Sequence, residues 1–379
     1  MAAPRPQKKR WLRALLGLVL MAISAKVLSQ LSFGGGSSSG QEHQEEEQQR
    51  QQYLQQAAAE RQQLVQQVGQ AQCGASLPTV AALVESFVTA PTPARNTNVS
   101  LDAPLIFFHQ RKTAGTSMRR AIRRIALGSR QPFYIPCNQG VHCDTYHIGN
   151  ASAKAFYAGH FYWGELRELS RRAKFLPPGA HWDDPRHRAS CFTIFREPLA
   201  RMESCYYYRF IQERGIKNKH FSCLDQLNPV ELRRMFMDGR SKFARGCLNE
   251  PFRILSGLTD EEDLAALSSA APDQGWQLTA AMALTLQHLA QCVPVVLERP
   301  ESLRLMRHYF PQLTPGLDSL QHANALKVGR CPLSDATRSL LAELSVGEHI
   351  LYEAVQRRVD YMLAELGEEG EQQQEEEQR

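Results

Sequence analysis

Four short apolar runs, residues 105–108, 155–158, 191–195 and 293–297, alternate with longer segments whose apolar residues recur at helical spacing, over 117–127, 199–211, 278–289, 302–309 and 335–363. Runs this short and uniformly apolar read as strands buried on both faces. Strands separated by helices build a parallel sheet with helices packed on each side. The expected fold class is α/β, a central parallel β-sheet flanked by helices. Such sheets collect ligands at the carboxyl ends of their strands. That rule puts the segments after Phe108, Ala158 and Phe195 at one edge, and these segments carry the polar residues of interest.

The first of them reads Leu105-Ile-Phe-Phe-His-Gln-Arg-Lys-Thr-Ala-Gly-Thr-Ser-Met-Arg-Arg120. A lysine and three hydroxyls lie on a turn of small residues, before a helix with Met118, Ala121, Ile122 and Ile125 on one face. The first N–H groups of a helix have no partner within it and sit at the positive end of the helix dipole, so an anion docks there readily. A phosphate is expected on 112–117. The arrangement is not a Walker A loop, which needs a glycine four residues before a Gly-Lys-Ser/Thr triplet. Lys112 here precedes the only glycine, Gly115, which argues against a kinase or NTPase.

The second segment, Cys191-Phe-Thr-Ile-Phe-Arg-Glu-Pro-Leu-Ala-Arg-Met-Glu-Ser-Cys-Tyr206, repeats the strand, turn and helix plan. Pro198 stands near the helix start, with Arg196 at the strand end and Ser204 about two turns in. A guanidinium fork and a hydroxyl suit the terminal oxygens of a phosphate monoester. The third segment is Gly159-His-Phe-Tyr-Trp-Gly-Glu-Leu166. Each has an ordinary reading when taken alone: a basic surface helix, an Arg196–carboxylate pair, and a core histidine beside Phe156, Tyr157, Phe161, Tyr162 and Trp163.

Taken together, the first two resemble the nucleotide-binding elements of sulfotransferases that use 3′-phosphoadenosine-5′-phosphosulfate (PAPS). In that family a Lys-Thr-x-Gly-Thr-Ser/Thr loop holds the 5′-phosphosulfate, and an Arg-Asp/Glu-Pro-x-x-Arg-x-x-Ser run holds the 3′-phosphate. Arg196, Glu197, Pro198, Arg201 and Ser204 fit the second pattern. The third segment is similar to the His-x-x-Trp-x-Glu-Leu of the heparan sulfate 6-O-sulfotransferases, in which the histidine is the proposed base. Weaker echoes follow at 249–257, 293–299 and 322–324. The sequence departs from that subfamily at Ala114, usually glycine, and at the basic Arg119 and Arg120.

The resemblance implies a P-loop-like sulfotransferase fold and transfer of a sulfuryl group from PAPS, as co-substrate, to a glycan hydroxyl. Arg111, Lys112, Thr113, Ala114, Gly115, Thr116 and Ser117 would bind the phosphosulfate, with Arg196 and Ser204 on the 3′-phosphate. Lys112 would assist departure of the phosphate, and His160 would take the acceptor's proton. Trp163 and Glu165 would contact substrate, although Trp163 could equally fill the core and Glu165 could orient His160 or be the base. The acceptor implied is an anionic polysaccharide, heparan-like and sulfated at the 6-O position. An inactive glycan-binding protein of the same fold and a sulfotransferase acting on protein tyrosine are the competing readings. No metal is expected. Cys137, His142, Cys143 and His147 contain no Cys-x2-Cys pair, and no nucleic acid is expected as partner.

The ends of the chain have other compositions. Residues 1–40 hold six basic and no acidic residues, and an uncharged apolar stretch over 14–25 lies between Arg13 and Lys26. With apolar residues continuing past Lys26, this reads as a signal-anchor that keeps the basic end cytoplasmic. A cleaved signal peptide is the rival, with Ala22, Ser24 and Ala25 as a cleavage site. The expectation is a single-pass type II Golgi membrane protein with four regions: tail and anchor 1–33, Gly/Ser hinge and Gln/Glu-rich stem 34–100, lumenal catalytic domain 101–363, and disordered acidic tail 364–379. Residues 73–363 carry a net +8 within a whole-chain +5, in keeping with an anionic ligand. In an oxidising lumen the nine cysteines favour disulfides. Cys73 stands apart in the stem and permits a homodimer. Asn98 and Asn150 head sequons for N-glycosylation.

Overall fold

Five parallel strands form one sheet in the order β2-β3-β1-β4-β5: Leu105–Phe108 (β1), Phe133–Tyr134 (β2), Phe156–Gly159 (β3), Ser190–Phe195 (β4) and Cys292–Val296 (β5). The computed structural model describes residues 79–136, 154–163, 189–208, 224–226, 228–237, 247–256, 275–317 and 332–378. All four expected strands are present, and every residue of β1, β3 and β5 is buried. The fifth, β2, is a two-residue edge strand that the apolar pattern does not announce. Cys191 and Cys292 face each other in the β4–β5 register and are joined by a disulfide.

Helix α1 is Val80–Val88, α2 Gly115–Gly128, α3 Pro198–Tyr206, α4 Pro229–Met237 and α5 Glu250–Ser256. Helix α6 is Gly275–Leu289, α7 Leu303–Tyr309, α8 Thr314–Leu317, α9 Asp335–Leu344 and α10 Val346–Gln378. Helix α2 buries Met118, Ala121 and Ile122 and leaves Arg120, Arg123 and Arg124 exposed, as its spacing requires. The second disulfide, Cys205–Cys247, ties α3 to the turn preceding α5.

Three expectations are corrected. The folded unit starts before residue 101: Val84, Phe87, Val88 and Val99 lie in the same core cluster as the sheet. Arg358 of α10, buried among them, donates to the carbonyls of Val88, Ala90 and Pro91 and so caps the end of α1. The expected helix over 335–363 is two helices, because the chain breaks at Ser345, whose hydroxyl bonds back to the Leu341 carbonyl. The acidic end is helical rather than irregular, since α10 continues to Gln378. Glutamate and glutamine are good helix formers, and here they extend a helix already anchored by buried Leu351, Val355, Val359 and Met362.

The expected anchor, Cys73 and most of the stem lie outside the described residues, as do Cys137, Cys143, Cys223 and Cys331. Among the described residues no helix is long and apolar enough to cross a membrane.

Candidate active site at the sheet edge

The strand order by itself sets a crevice at one edge of the sheet. From β1 the chain crosses to β2 on one side of the sheet, and from β4 it crosses to β5 on the other. Neighbouring strands whose connections diverge leave a crevice at their carboxyl ends, the switch point of an open α/β sheet. The loop 109–114 and the turn Arg196–Glu197 border this crevice. His160 follows β3 on the far side of β1.

The first loop is tied down from beneath. His109 N–H continues the β1–β3 ladder by donating to the Gly159 carbonyl at 2.8 Å. The Gln110 amide donates to the Thr193 hydroxyl of β4, which donates to the Phe108 carbonyl, each at 2.9 Å. Thr113, fully buried, turns its hydroxyl inward to the Gln110 carbonyl at 2.8 Å. Lys112 and Ala114 both take left-handed backbone conformations, with φ of 65° and 61°. A non-glycine residue there typically costs about 1–2 kcal/mol, and such strain concentrates at functional sites. Ala114 thus occupies a position glycine would fill without strain. Gly115 has a different reason to be glycine. A Cβ there would lie 1.6 Å from Cδ2 of the His109 ring, which packs directly beneath.

Helix α2 begins at Gly115 with no side-chain cap and no acid in its first turn. Among the described residues, no acceptor takes the amides of Thr113, Ala114, Gly115 and Thr116. Open amides, a helix dipole and a strained turn are the parts from which anion-binding nests are built. The Lys112 ammonium lies 4.4 Å from the centre of the Tyr208 ring, a cation–π contact.

The second run joins the first at one bond. Arg196 Nη1 donates to the Lys112 carbonyl at 3.1 Å, and its Nε lies 3.8 Å from Glu298 beyond β5. Glu197 caps α3, its carboxylate accepting from the amides of Leu199 and Ala200 at 2.9 and 2.6 Å, with Pro198 in the first turn. Ser204 is on α3, buried, and its hydroxyl has no hydrogen-bond partner among the described residues. Arg201 is 1% exposed and serves the scaffold: it donates to the Cys247 carbonyl at 2.6 Å and to Glu348 at 2.5 Å.

His160 keeps 13% of its side-chain exposure and stacks on His109 with ring centres 4.1 Å apart. Its Nδ1 is 2.6 Å from the His109 carbonyl. A carbonyl only accepts, so Nδ1 carries the hydrogen and the lone pair falls on Nε2. Burial, then His109, Arg111 and Arg119, hold the imidazole well below its ordinary pKa of 6.5. The imidazole is neutral at physiological pH, as a base must be. His109 is depressed likewise, by burial first and then by Arg119, Arg111 and Lys112.

Several expected ligands have other tasks. Arg111 gives its backbone N–H and one guanidinium nitrogen to Glu250, at 2.7 and 2.5 Å, so it buttresses the loop where the sequence casts it as an anion ligand. The Thr113 hydroxyl is spent on the turn, as above. Trp163 is 2% exposed and stacked between Phe108 and His288, at 5.3 and 4.4 Å, so its ring fills the core and is not available to a sugar. Thr116 is exposed on the first turn of α2, and Ser117 is buried. Asn98 is exposed, as a glycan acceptor must be, whereas Glu165 and Asn150 lie outside the described residues.

Sequence reasoning overlooks Glu250, 1% exposed, which touches Arg111, lies 3.5 Å from Arg201 and faces His160 at 4.0 Å. The weak echo at 249–257 is the only sequence signal near it. No three-residue group of His, Cys, Asp or Glu able to hold a metal ion occurs among the described residues. Compared with protein-family models the chain matches none, and no curated protein matches it.

Proposed function

We propose that the chain is a PAPS-dependent O-sulfotransferase acting on a glycan hydroxyl, with a heparan-like acceptor and the 6-O position favoured. The observation that carries this reading is the Arg196–Lys112 hydrogen bond at the switch point. It joins an uncapped helix start, suited to one phosphate, to a guanidinium fork suited to a second. A donor with separate 5′- and 3′-phosphate groups fits two such sites better than a nucleoside triphosphate does. The orphaned amides of residues 113–116 and the partnerless Ser204 hydroxyl suit the same donor.

In this reading the amides of residues 113–116 bind the 5′-phosphate, and Arg196 and Ser204 the 3′-phosphate. Lys112 offsets charge on the departing phosphate, which a preorganised cation does without reorganisation. His160 Nε2 receives the acceptor's proton, a contribution typically of about 10²- to 10⁴-fold. The His109 carbonyl fixes the tautomer this requires. Golgi placement and the membrane anchor belong to the proposal and rest on residues 1–33 alone.

Incubating the full chain with labelled PAPS and a panel of polysaccharides and tyrosine peptides, then locating sulfate by mass spectrometry, tests the reading. Sulfate on a glycan hydroxyl is expected, lost in His160→Ala with binding of adenosine 3′,5′-bisphosphate retained. Sulfate on tyrosine would move the acceptor to protein. Nucleotide binding without transfer to any acceptor would favour an inactive glycan-binding protein, and full transfer by His160→Ala would remove that residue as base.

A further inference from the structure

We propose that Glu250 is a positioning residue that supplies the counter-charge through which His160 accepts a proton during transfer. This rests on the sulfotransferase reading and extends it to a residue that no motif marks.

Charged and ionisable groups surround the His160 imidazole. Arg111 of the first loop and Arg119 of α2 are cationic, and His109 is stacked against it. Glu250, from α5, brings a carboxylate oxygen to 4.0 Å of Nδ1, on the ring edge opposite the nitrogen that takes the proton. Its further neighbours are Arg201, and through it Glu348 of α10. In the resting protein Glu250 is engaged by Arg111 and Arg201, and burial with the nearby cations keeps His160 unprotonated. Such an imidazole is always available as a base but a poor holder of a proton.

During the reaction the acceptor oxygen forms a bond to sulfur. The bond from sulfur to the phosphate oxygen breaks with both electrons leaving on the phosphate, and the hydroxyl proton passes to Nε2. Among the described residues two groups stand at the Nδ1 edge of the imidazolium: the His109 carbonyl, bonded directly, and the Glu250 carboxylate, acting across a short gap. Only the second carries charge. A carboxylate oriented on the far nitrogen of a base is the arrangement by which hydrolase triads hold an imidazolium. Here the direct bond goes to a carbonyl and the charge stands behind it.

Glu250→Gln keeps the shape and an acceptor for Arg111 while removing the charge. The expected result is a fall in kcat of about 10- to 100-fold, with affinity for adenosine 3′,5′-bisphosphate and KM for PAPS unchanged. The acidic limb of the pH profile should move to lower pH by about one unit. Glu250→Asp, which retains the charge, should recover part of kcat. A fall in nucleotide affinity matching the loss of kcat would mean that Glu250 only holds the loop, and an unchanged kcat in the Gln variant would also overturn the proposal. If Glu250→Gln does not fold, Glu250→Asp with a kcat no higher than a His160→Ala background would do the same. If the wild-type chain neither binds the bisphosphate nor transfers sulfate, the sulfotransferase reading fails by itself. The charge coupling is then read by NMR as the protonated fraction of His160 at pH 5, expected to be lower in Glu250→Gln and contradicted by identical fractions.

Discussion

The molecule contains two copies of one supersecondary unit side by side, β1 with α2 and β4 with α3, and they begin their helices in opposite ways. Helix α3 is closed by its own sequence: Glu197 accepts from the amides of Leu199 and Ala200, and Pro198 has no N–H to satisfy. Helix α2 has no side-chain cap and no acid in its first turn, and it is entered through two strained left-handed residues. The difference assigns the work. An anion at α2 can be held by backbone, whereas an anion near α3 must be held by side chains, since Glu197 already occupies the helix start. In the proposed function Arg196 and Ser204 are those side chains, and the bond from Arg196 to the Lys112 carbonyl couples the closed unit to the open one.

The contrast can be broken most severely at Gly115. Alanine there would drive a Cβ into the His109 ring, so Gly115→Ala should lose about 3 kcal/mol or more of stability together with the open nest. A variant with wild-type unfolding and nucleotide binding would show that His109 can move aside freely.

A second difference is electrostatic: the open unit carries the buried His109, on which His160 at the end of β3 stacks, whereas β4 and α3 contain no histidine. His109 and His160 are held neutral below their ordinary pKa, so between the folded and unfolded values the unfolded chain binds more protons. Their contribution is fully present above pH 6.5 and falls as pH drops below it, each by up to about 1.4 kcal/mol per unit. Denaturant unfolding at pH 7.5, 6.5 and 5.5 should show stability declining across the lower interval. Constant or rising stability there would contradict the burial of the pair.

Smaller effects sharpen the contrast. Glu197→Ala removes a cap and should cost about 1 kcal/mol in thermal unfolding while leaving the anion site of α2 intact. Ala114→Gly relieves the left-handed strain and should change stability by less than about 1 kcal/mol, on the stabilising side, because glycine's added freedom in the unfolded chain offsets part of the relief. A clear loss of stability in Ala114→Gly would mean that the Ala114 methyl packs more than it strains.

Much of this was legible in the sequence, for local reasons. Strands β1, β3, β4 and β5 declare themselves as apolar runs because both faces are buried, and Lys112, Gly115, Arg196 and His160 stand at the ends of such runs. Strand β2 has only two half-buried residues and no run to reveal it. Helix α1 does repeat Val80, Leu83, Val84, Phe87 and Val88 at helical spacing, but the prolines that follow make it read as stem. Glu250 was illegible because its meaning is made by folding: its partner Arg111 lies 139 positions earlier. Trp163 and Arg111 sit within or beside recognisable motifs, yet the core claims the first and Glu250 the second.

In the proposed function Lys112 of the open unit and Arg196 of the closed one grip a single bisphosphorylated nucleotide. Isothermal titration of adenosine 3′,5′-bisphosphate into the full chain tests it most directly, with Glu197→Ala as a control that perturbs only the helix cap. Wild type and Glu197→Ala should bind alike, and Lys112→Ala and Arg196→Ala should each weaken binding by about 10- to 100-fold, the size of a lost charge-assisted contact. Unchanged affinity in both Lys112→Ala and Arg196→Ala, or no binding by the wild-type chain, would contradict the account.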